Sequence, residues 1–96
     1  AAGHPKQAIQ AMEKARSRDF RDTRLLRDMS LAYAKTGQNG MAALVTAERY
    51  ALQGRMDDAG RHATRASTQL PRGSATWRRA QDVLIAAEYY QKRKNK

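Results

Sequence analysis

Several residue types that commonly build a chemical site are absent or rare in this chain. Its 96 residues include no cysteine, two prolines, two histidines, one tryptophan and one phenylalanine. The lack of cysteine excludes a disulfide framework, a thiolate metal site and a cysteine nucleophile. No apolar run approaches about 18 residues, and the chain lacks the positively charged segment followed by an apolar segment that is typical of a signal peptide. Within these residues the sequence therefore predicts neither a membrane-spanning segment nor an export signal.

Acidic residues are also scarce. Nine Asp and Glu residues accompany nineteen Lys and Arg, which gives a formal net charge of +10. The hydrophobic fraction of 41% is too high for a disordered basic tail, so we expect a folded chain. A length of 96 residues suits one domain and is too short for two. Because the chain begins with Ala1 rather than methionine, we expect it to be either processed or a fragment of a longer protein.

What the sequence does contain is apolar residues at intervals of three and four, the period of an amphipathic helix. Five such stripes follow one another, and no alternating pattern typical of strands competes with them. In chain order they include Ile9 and Met12, Leu26 and Met29, Leu44 and Val45, Ala59 and Ala63, and Val83 and Leu84. The third stripe is apolar around most of its circumference, which predicts a helix between two neighbours. The fold class expected is all-α, with short connections that make consecutive helices pack antiparallel.

The breaks between these stripes carry residues that end and begin helices. Gly37 and Gly54 suit the left-handed conformation found just after a helix, and Pro71 ends the fourth stripe. Ser74 can cap the fifth helix, and Asp57 places negative charge at the start of the fourth.

The chain also repeats itself. Tyr33 and Gly37 recur as Tyr50 and Gly54, both after 17 residues. Twice this spacing is about 34 residues, the period of the tetratricopeptide repeat (TPR), in which each repeat is a helix-turn-helix pair. Residues that resemble the TPR pattern in order and spacing are Tyr50, Gly54, Ala59, Ala63, Ala66 and Pro71. The sequence thus predicts a TPR-like right-handed superhelix of about five helices, and an unrelated helical bundle is the alternative.

A closer resemblance lies in three stretches. These are Leu-Ala-Tyr-Ala-Lys-Thr-Gly at 31–37, Ala-Glu-Arg-Tyr-Ala-Leu-Gln-Gly at 47–54 and Gly-Ser-Ala-Thr-Trp-Arg-Arg-Ala-Gln-Asp at 73–82. Together with the residues between them they resemble the C-terminal TPR region of bacterial periplasmic zinc metallopeptidases. This is peptidase family M forty-eight, whose members include HtpX and the CAAX prenyl protease. The similarity extends from Leu26 to Trp77 and just beyond.

That resemblance implies that residues 1–96 are the C-terminal fragment of a parent protein, whose N-terminal catalytic domain binds zinc through a His-Glu-x-x-His helix. The chain itself would be a non-catalytic protein–protein interaction domain in the periplasm or cell envelope. It would present a substrate or an envelope partner to the protease domain, or regulate that domain. His4 and His62 lack the Glu-x-x-His context, so no catalytic, metal or cofactor residue is carried over. We expect His62 to be a solvated side chain on the fourth helix.

Other chemical motifs find little support. No G-x-S-x-G sequence surrounds any serine, and no glycine-rich loop with a lysine could hold phosphate. Tyr33, Tyr50 and Trp77 lie on apolar stripes and are expected to pack between helices rather than bind a ligand. Tyr89 and Tyr90 are adjacent and point about 100° apart, so at least one of them should be exposed.

The basic residues leave more than one interpretation open. Pairs four residues apart, namely Arg24 with Asp28, Asp57 with Arg61 and Arg78 with Asp82, can neutralise some of the charge. In the TPR register the candidates for a partner-binding groove are Arg24, Arg27, Lys35, Glu48, Arg78 and Asp82. A groove with this excess of cations would favour an acidic peptide segment or a chain carboxylate.

Three classes of partner follow from these residues. A protein or peptide, including the protease domain of the parent, is the leading one. A nucleic acid is the alternative suggested by the net charge of +10, although the cations are spread over several helices. The basic tail, Lys92, Arg93, Lys94 and Lys96, could also attach to an anionic membrane surface. Finally, Ile9 and Met12 at the start of the chain suggest that the first helix packs on a preceding element.

Overall fold

The computed structural model describes residues 4–95 and confirms the all-α fold class. The helices are α1 (Pro5–Arg18), α2 (Thr23–Lys35), α3 (Asn39–Leu52), α4 (Met56–Gln69) and α5 (Ala75–Lys94). No strand occurs among the described residues. Each helix contains one of the five apolar stripes, so the periodicity located every element.

The helix ends follow from the glycines and from the capping side chains. Gly37 adopts φ +77°, and the amides of Gln38 and Gly37 donate to the carbonyls of Tyr33 (2.8 Å) and Ala34 (3.1 Å). This pair of bonds is the Schellman arrangement that closes a helix C-terminus. Gly54 repeats both bonds after α3 with the same φ. The two glycines that are 17 residues apart in the sequence therefore perform the same conformational task.

Two helices begin with a capping side chain. The Asp22 carboxylate accepts a hydrogen bond of 3.1 Å from the Leu25 amide at the start of α2. The Ser74 hydroxyl accepts one, also of 3.1 Å, from the Trp77 amide at the start of α5. Each bond satisfies an amide that has no partner inside the helix, which stabilises the helix end by about 1 kcal/mol.

The helices pack as consecutive pairs, with α3 at the centre. It contacts α2, α4 and α5, as its wide apolar circumference predicted. The pairs α1–α2 and α3–α4 begin at residues 5 and 39, a period of about 34 residues. The molecule measures 51 × 25 × 19 Å. This elongated arrangement of helix pairs is consistent with a helical repeat.

The two halves of the core differ in side-chain size. Around α1, α2 and the first part of α3, the buried residues are Ile9, Leu26, Met29, Tyr33 and Val45. Between α3, α4 and α5 most of the buried residues are alanines, namely Ala43, Ala47, Ala59, Ala63, Ala66 and Ala80, with Leu44 and Val83. Small side chains allow helices to approach closely, and they leave little room for substitutions.

The apolar residues Ile9 and Met12 of α1 contribute to the core of this chain. Ile9 is 6% exposed, and Met12 packs against the same cluster, which also contains residues of α2 and α3. That a preceding element also packs on α1 stays a prediction. At the other end of the chain, α5 continues to Lys94, so the basic residues Lys92, Arg93 and Lys94 form its last helical turn.

Candidate functional site

A three-way ion pair joins helices that are not consecutive in the chain. The Arg79 guanidinium of α5 donates to both carboxylate oxygens of Glu48, with Nε at 3.0 Å from Oε2 and Nη2 at 2.6 Å from Oε1. From α1, Arg16 Nη2 donates to the same Oε2 at 3.0 Å. Only 14% of the Glu48 side chain is exposed, against 23% for Arg16 and 29% for Arg79. We call the surface formed by α1, α3 and α5 around these residues, together with the adjoining exposed side of α5 that contains Arg78, the Glu48 face.

A second polar contact lies beside this ion pair. The Tyr33 hydroxyl, on a side chain that is only 1% exposed, donates a 2.5 Å hydrogen bond to Glu13 Oε1 on α1. Burial and the neighbouring Glu13 carboxylate raise the pKa of Tyr33, whereas Arg79 and Arg16 act in the opposite direction. The phenol therefore remains protonated and acts as a fixed hydrogen-bond donor. It fastens α1 to α2 and is no acid or base at neutral pH.

The structure divides the six predicted groove residues between two surfaces. Glu48, Arg78 and Asp82 lie on α3 and α5, which contact each other. Arg78 and Asp82 are exposed. They lie on one side of α5 with Ile85 and Tyr89, of which 64% and 62% are exposed.

The other three predicted residues, Arg24, Arg27 and Lys35, are exposed on α2. They share the side of α2 that contains Leu31. Arg24 lies seven residues before Leu31, Arg27 four before it and Lys35 four after it, and these spacings place residues on one face of a helix. This side of α2 forms one wall of a separate cavity between α2 and α4.

Sequence reasoning missed Arg16 and Arg79, the two partners of Glu48. It chose Arg78, whose side chain points about 100° away from that of its neighbour Arg79. One signal was present, since Glu48 is the only acidic residue of a helix that is otherwise largely apolar. A carboxylate in such a helix needs a cationic partner, but its sequence position does not identify which arginine supplies it.

The predicted ion pairs at a spacing of four residues do not form in the described part of the chain. Asp28 lies 3.8 Å from Arg27 rather than near Arg24, and Arg61 pairs with Asp58 rather than Asp57. Asp58 also accepts from Arg55, at 2.7 Å. Residues three apart on a helix are neighbours just as residues four apart are, so Asp58 can pair with Arg55 and Arg61.

Asp57 has a partner that only the fold could place. Lys94 Nζ, near the end of α5, lies 3.7 Å from its carboxylate, and the Gln91 amide also donates to it. These contacts cross a cavity of about 760 Å³ between α4 and α5, whose apolar residues are Met56, Leu84 and Ala87. Part of the basic tail is therefore held against α4. Attachment of the remaining cations to a membrane surface stays a prediction.

Another cavity, of about 460 Å³, lies between α2 and α4 above α3; we call it the α2–α4 groove. It is lined by Ser30, Leu31 and Ala34 of α2, by Asn39, Ala42, Ala43 and Thr46 of α3, and by His62, Arg65 and Gln69 of α4. Thr46 and Glu48 point roughly 160° apart around α3, so the groove and the Glu48 face lie on different sides of the molecule.

His62 is not the solvated side chain that the sequence predicted. Its ring packs on Tyr50 with 5.3 Å between the ring centres, and the residue is half-buried. Burial lowers the pKa of His62, and Arg65, Arg61 and Arg49 lower it further, while Asp58 raises it. The pattern missed this because Tyr50 reaches the polar side of α4 from another helix.

The other aromatic residues mostly follow expectation. Tyr33 is buried, and Tyr50 is half-buried against the core of α3, α4 and α5. Trp77 is also half-buried, in the first turn of α5. Tyr89 and Tyr90 are both exposed, by 62% and 39%.

The described residues do not fit a zinc centre. Nowhere between residues 4 and 95 do three or more His, Asp or Glu side chains gather at a distance that could hold a metal ion. Nor does any described helix have the length and apolarity to cross a bilayer.

Comparisons with known proteins add no identification. No family model, curated protein or solved structure matches the chain. The resemblance to the metallopeptidase TPR region therefore rests on the three sequence stretches at 31–37, 47–54 and 73–82.

Proposed function

We propose that the chain is a non-catalytic protein–protein interaction module that binds a partner segment on the Glu48 face. The observation that supports this most is the three-way ion pair, which links side chains of α1, α3 and α5. Helical repeats form extended binding surfaces in this way, because each pair adds a helix to the same side. A TPR-like superhelix is part of the proposal.

The chemistry exposed on this face suits a protein segment. Arg78 and Asp82 offer charges of opposite sign, and Ile85 offers a large apolar side chain that is 64% exposed. Arg16 and Arg79 already share the Glu48 carboxylate, which leaves them less able to attract an acidic ligand. A segment of mixed charge with an apolar anchor would fit better than a purely acidic one.

Photo-crosslinking in the source cells tests this proposal. A photoreactive amino acid replaces Arg78 or Asp82 in turn, and Arg72, exposed in the 70–74 connection, is the matched control position. We expect the same protein to crosslink from both α5 positions and not from position 72. Crosslinks to nucleic acid, or equal labelling from all three positions, would contradict the proposal.

The parent protein proposed from the resemblance is an envelope zinc metallopeptidase whose protease domain this module serves. Reading the gene upstream of Ala1 tests it directly. A signal peptide followed by a His-Glu-x-x-His sequence is the expected result. An upstream sequence without that motif would leave an interaction module with a different parent.

The non-catalytic part of the proposal has its own assay. The purified chain, incubated with fluorescent casein and zinc, should release no fluorescence above a protein-free control. Cleavage that a chelator abolishes would refute it.

A further inference from the structure

The α2–α4 groove concentrates positive charge on both of its walls. On α2, Arg24, Arg27 and Lys35 lie on the same side as the lining residue Leu31. On α4, Arg65 lines the groove directly. These four side chains are exposed.

Another cation, Arg49, lies on α3 close to the lining residues. Arg49 follows the lining residue Thr46 by three positions on α3, and it is among the charges that lower the pKa of His62. Its Nε atom is buried and has no hydrogen-bond partner among the described residues. Arg49 also lies against the Tyr50 ring, with 5.0 Å from its guanidinium carbon to the ring centre.

Little acidic charge offsets these cations. Asp58, the acid nearest to His62, is already paired with both Arg55 and Arg61. Asp28 lies 3.8 Å from Arg27. In the described part of the chain, Arg24, Lys35, Arg49 and Arg65 form no ion pair. The groove therefore has an excess of positive charge, whereas the cations of the Glu48 ion pair share a carboxylate.

The groove also presents apolar surface. Leu31 is 57% exposed, and Ala34, Ala42 and Ala43 line the cavity beside it. The aromatic residue that lines the groove is His62, and its ring packs on Tyr50 rather than standing free to stack on a nucleobase. The neighbouring Tyr50 ring is engaged, with guanidinium carbons of Arg49 at 5.0 Å and Arg55 at 4.4 Å from its centre, and with His62 beside it. A peptide therefore fits these residues better than a nucleic acid.

We propose that the α2–α4 groove is a second binding site, which takes an acidic protein segment carrying an apolar side chain. The carboxylates of the segment pair with Arg24, Arg65 and Lys35, and its apolar side chain packs on Leu31. Charge-assisted bonds from arginine to carboxylate supply the selectivity for an acidic ligand. This site is separate from the Glu48 face, so an experiment can refute one of the two binding sites without refuting the other.

Fluorescence anisotropy tests the site with a defined probe. The probe is a fluorescein-labelled synthetic peptide of glutamates with one central leucine, and a second peptide has glutamine in place of every glutamate. The groove variant is Arg24→Glu with Arg65→Glu, and its matched control is Lys14→Glu with Arg72→Glu. Both variants change the net charge equally, and all four positions are exposed. Circular dichroism establishes that each variant stays helical.

We expect the groove variant to bind the acidic peptide at least about tenfold more weakly, since each tenfold step corresponds to about 1.4 kcal/mol. The control variant should bind within about twofold of the unaltered chain, because its substitutions lie outside the groove. Leu31→Ala should weaken binding about fivefold by removing apolar contact area, while alanine keeps α2 helical.

Three results would overturn the inference. Equal weakening by both double variants would mean attraction by net charge alone. Weakening by the control variant only would place the acidic ligand outside the α2–α4 groove, near Lys14 or Arg72, which leaves the proposed function intact. An oligonucleotide of equal charge that binds more tightly than the peptide, and that depends on Arg24 and Arg65, would make the groove a nucleic-acid site.

Discussion

Replacing Glu48 with glutamine should destabilise the fold far more than removing an exposed acidic charge. The side chain keeps its shape, but Arg16 and Arg79 lose their shared carboxylate and are left as two neighbouring cations. Both arginines are less than a third exposed, and the carboxylate is 14% exposed. Solvent can therefore compensate only in part for the lost charge.

The magnitude follows from this partial burial. Removing one partner of a fully buried ion pair costs about 3–5 kcal/mol, and an exposed pair contributes about 0–1 kcal/mol. The exposures of 14–29% place Glu48 between these limits, so we expect a loss of about 2 kcal/mol in the free energy of unfolding. For a domain of this size that loss lowers Tm by roughly 8–16 °C.

Urea and thermal unfolding followed by circular dichroism at 222 nm measure this loss. The matched control is Asp82→Asn, which removes an acidic charge from the exposed side of α5 and should change stability by less than about 0.5 kcal/mol. The double variant Glu48→Gln, Arg79→Gln should lose less than the sum of the two single variants, because each residue is costly without the other. A Glu48→Gln loss no larger than that of Asp82→Asn would refute the reasoning.

Three further predictions follow from the same structure. Ala63→Leu should cost about 1–3 kcal/mol in unfolding free energy, because Ala63 is fully buried between α4 and its neighbours; stability equal to that of the unaltered chain in urea would contradict this. Gly54→Ala should cost about 1 kcal/mol in a thermal melt, since alanine is strained at φ +77°, and an unchanged Tm would show that the turn adopts another conformation. Stability should fall as the pH drops below about 6.5, because burial lowers the pKa of His62 in the folded state; His62→Asn should flatten that part of the profile, and an unaltered slope would mean that His62 is solvated.

The fold was predictable from the sequence because its signals are local. The spacing of Leu26, Met29 and Tyr33 defines one helix, and Gly37 ends it whatever the rest of the chain does. The packing of consecutive helices was also predictable, because short connections make them pack antiparallel.

The candidate sites were only partly predictable, because they depend on contacts between distant residues. Nothing local distinguishes Arg79 from Arg78, yet only Arg79 reaches Glu48, 31 residues earlier. Similarly, the sequence predicts Arg24 and Arg27 as groove residues. It cannot show whether they share a groove with Glu48, because that depends on how α2 and α3 are placed. The structure instead places these arginines on the side of α2 that forms the wall of the α2–α4 groove.

The most direct test of an interaction module with two separate faces is a titration of the ¹⁵N-labelled chain with the glutamate–leucine peptide, followed by amide chemical shifts. The account predicts shifts concentrated at Leu31, Ala34, Thr46 and Gln69 of the α2–α4 groove, with Glu48 and Asp82 nearly unchanged. Salt should reduce the size of the shifts, because it screens the attraction between the charges. The same residues should still shift, because the binding site does not change. Shifts spread over every helix, or none at saturating peptide, would contradict it.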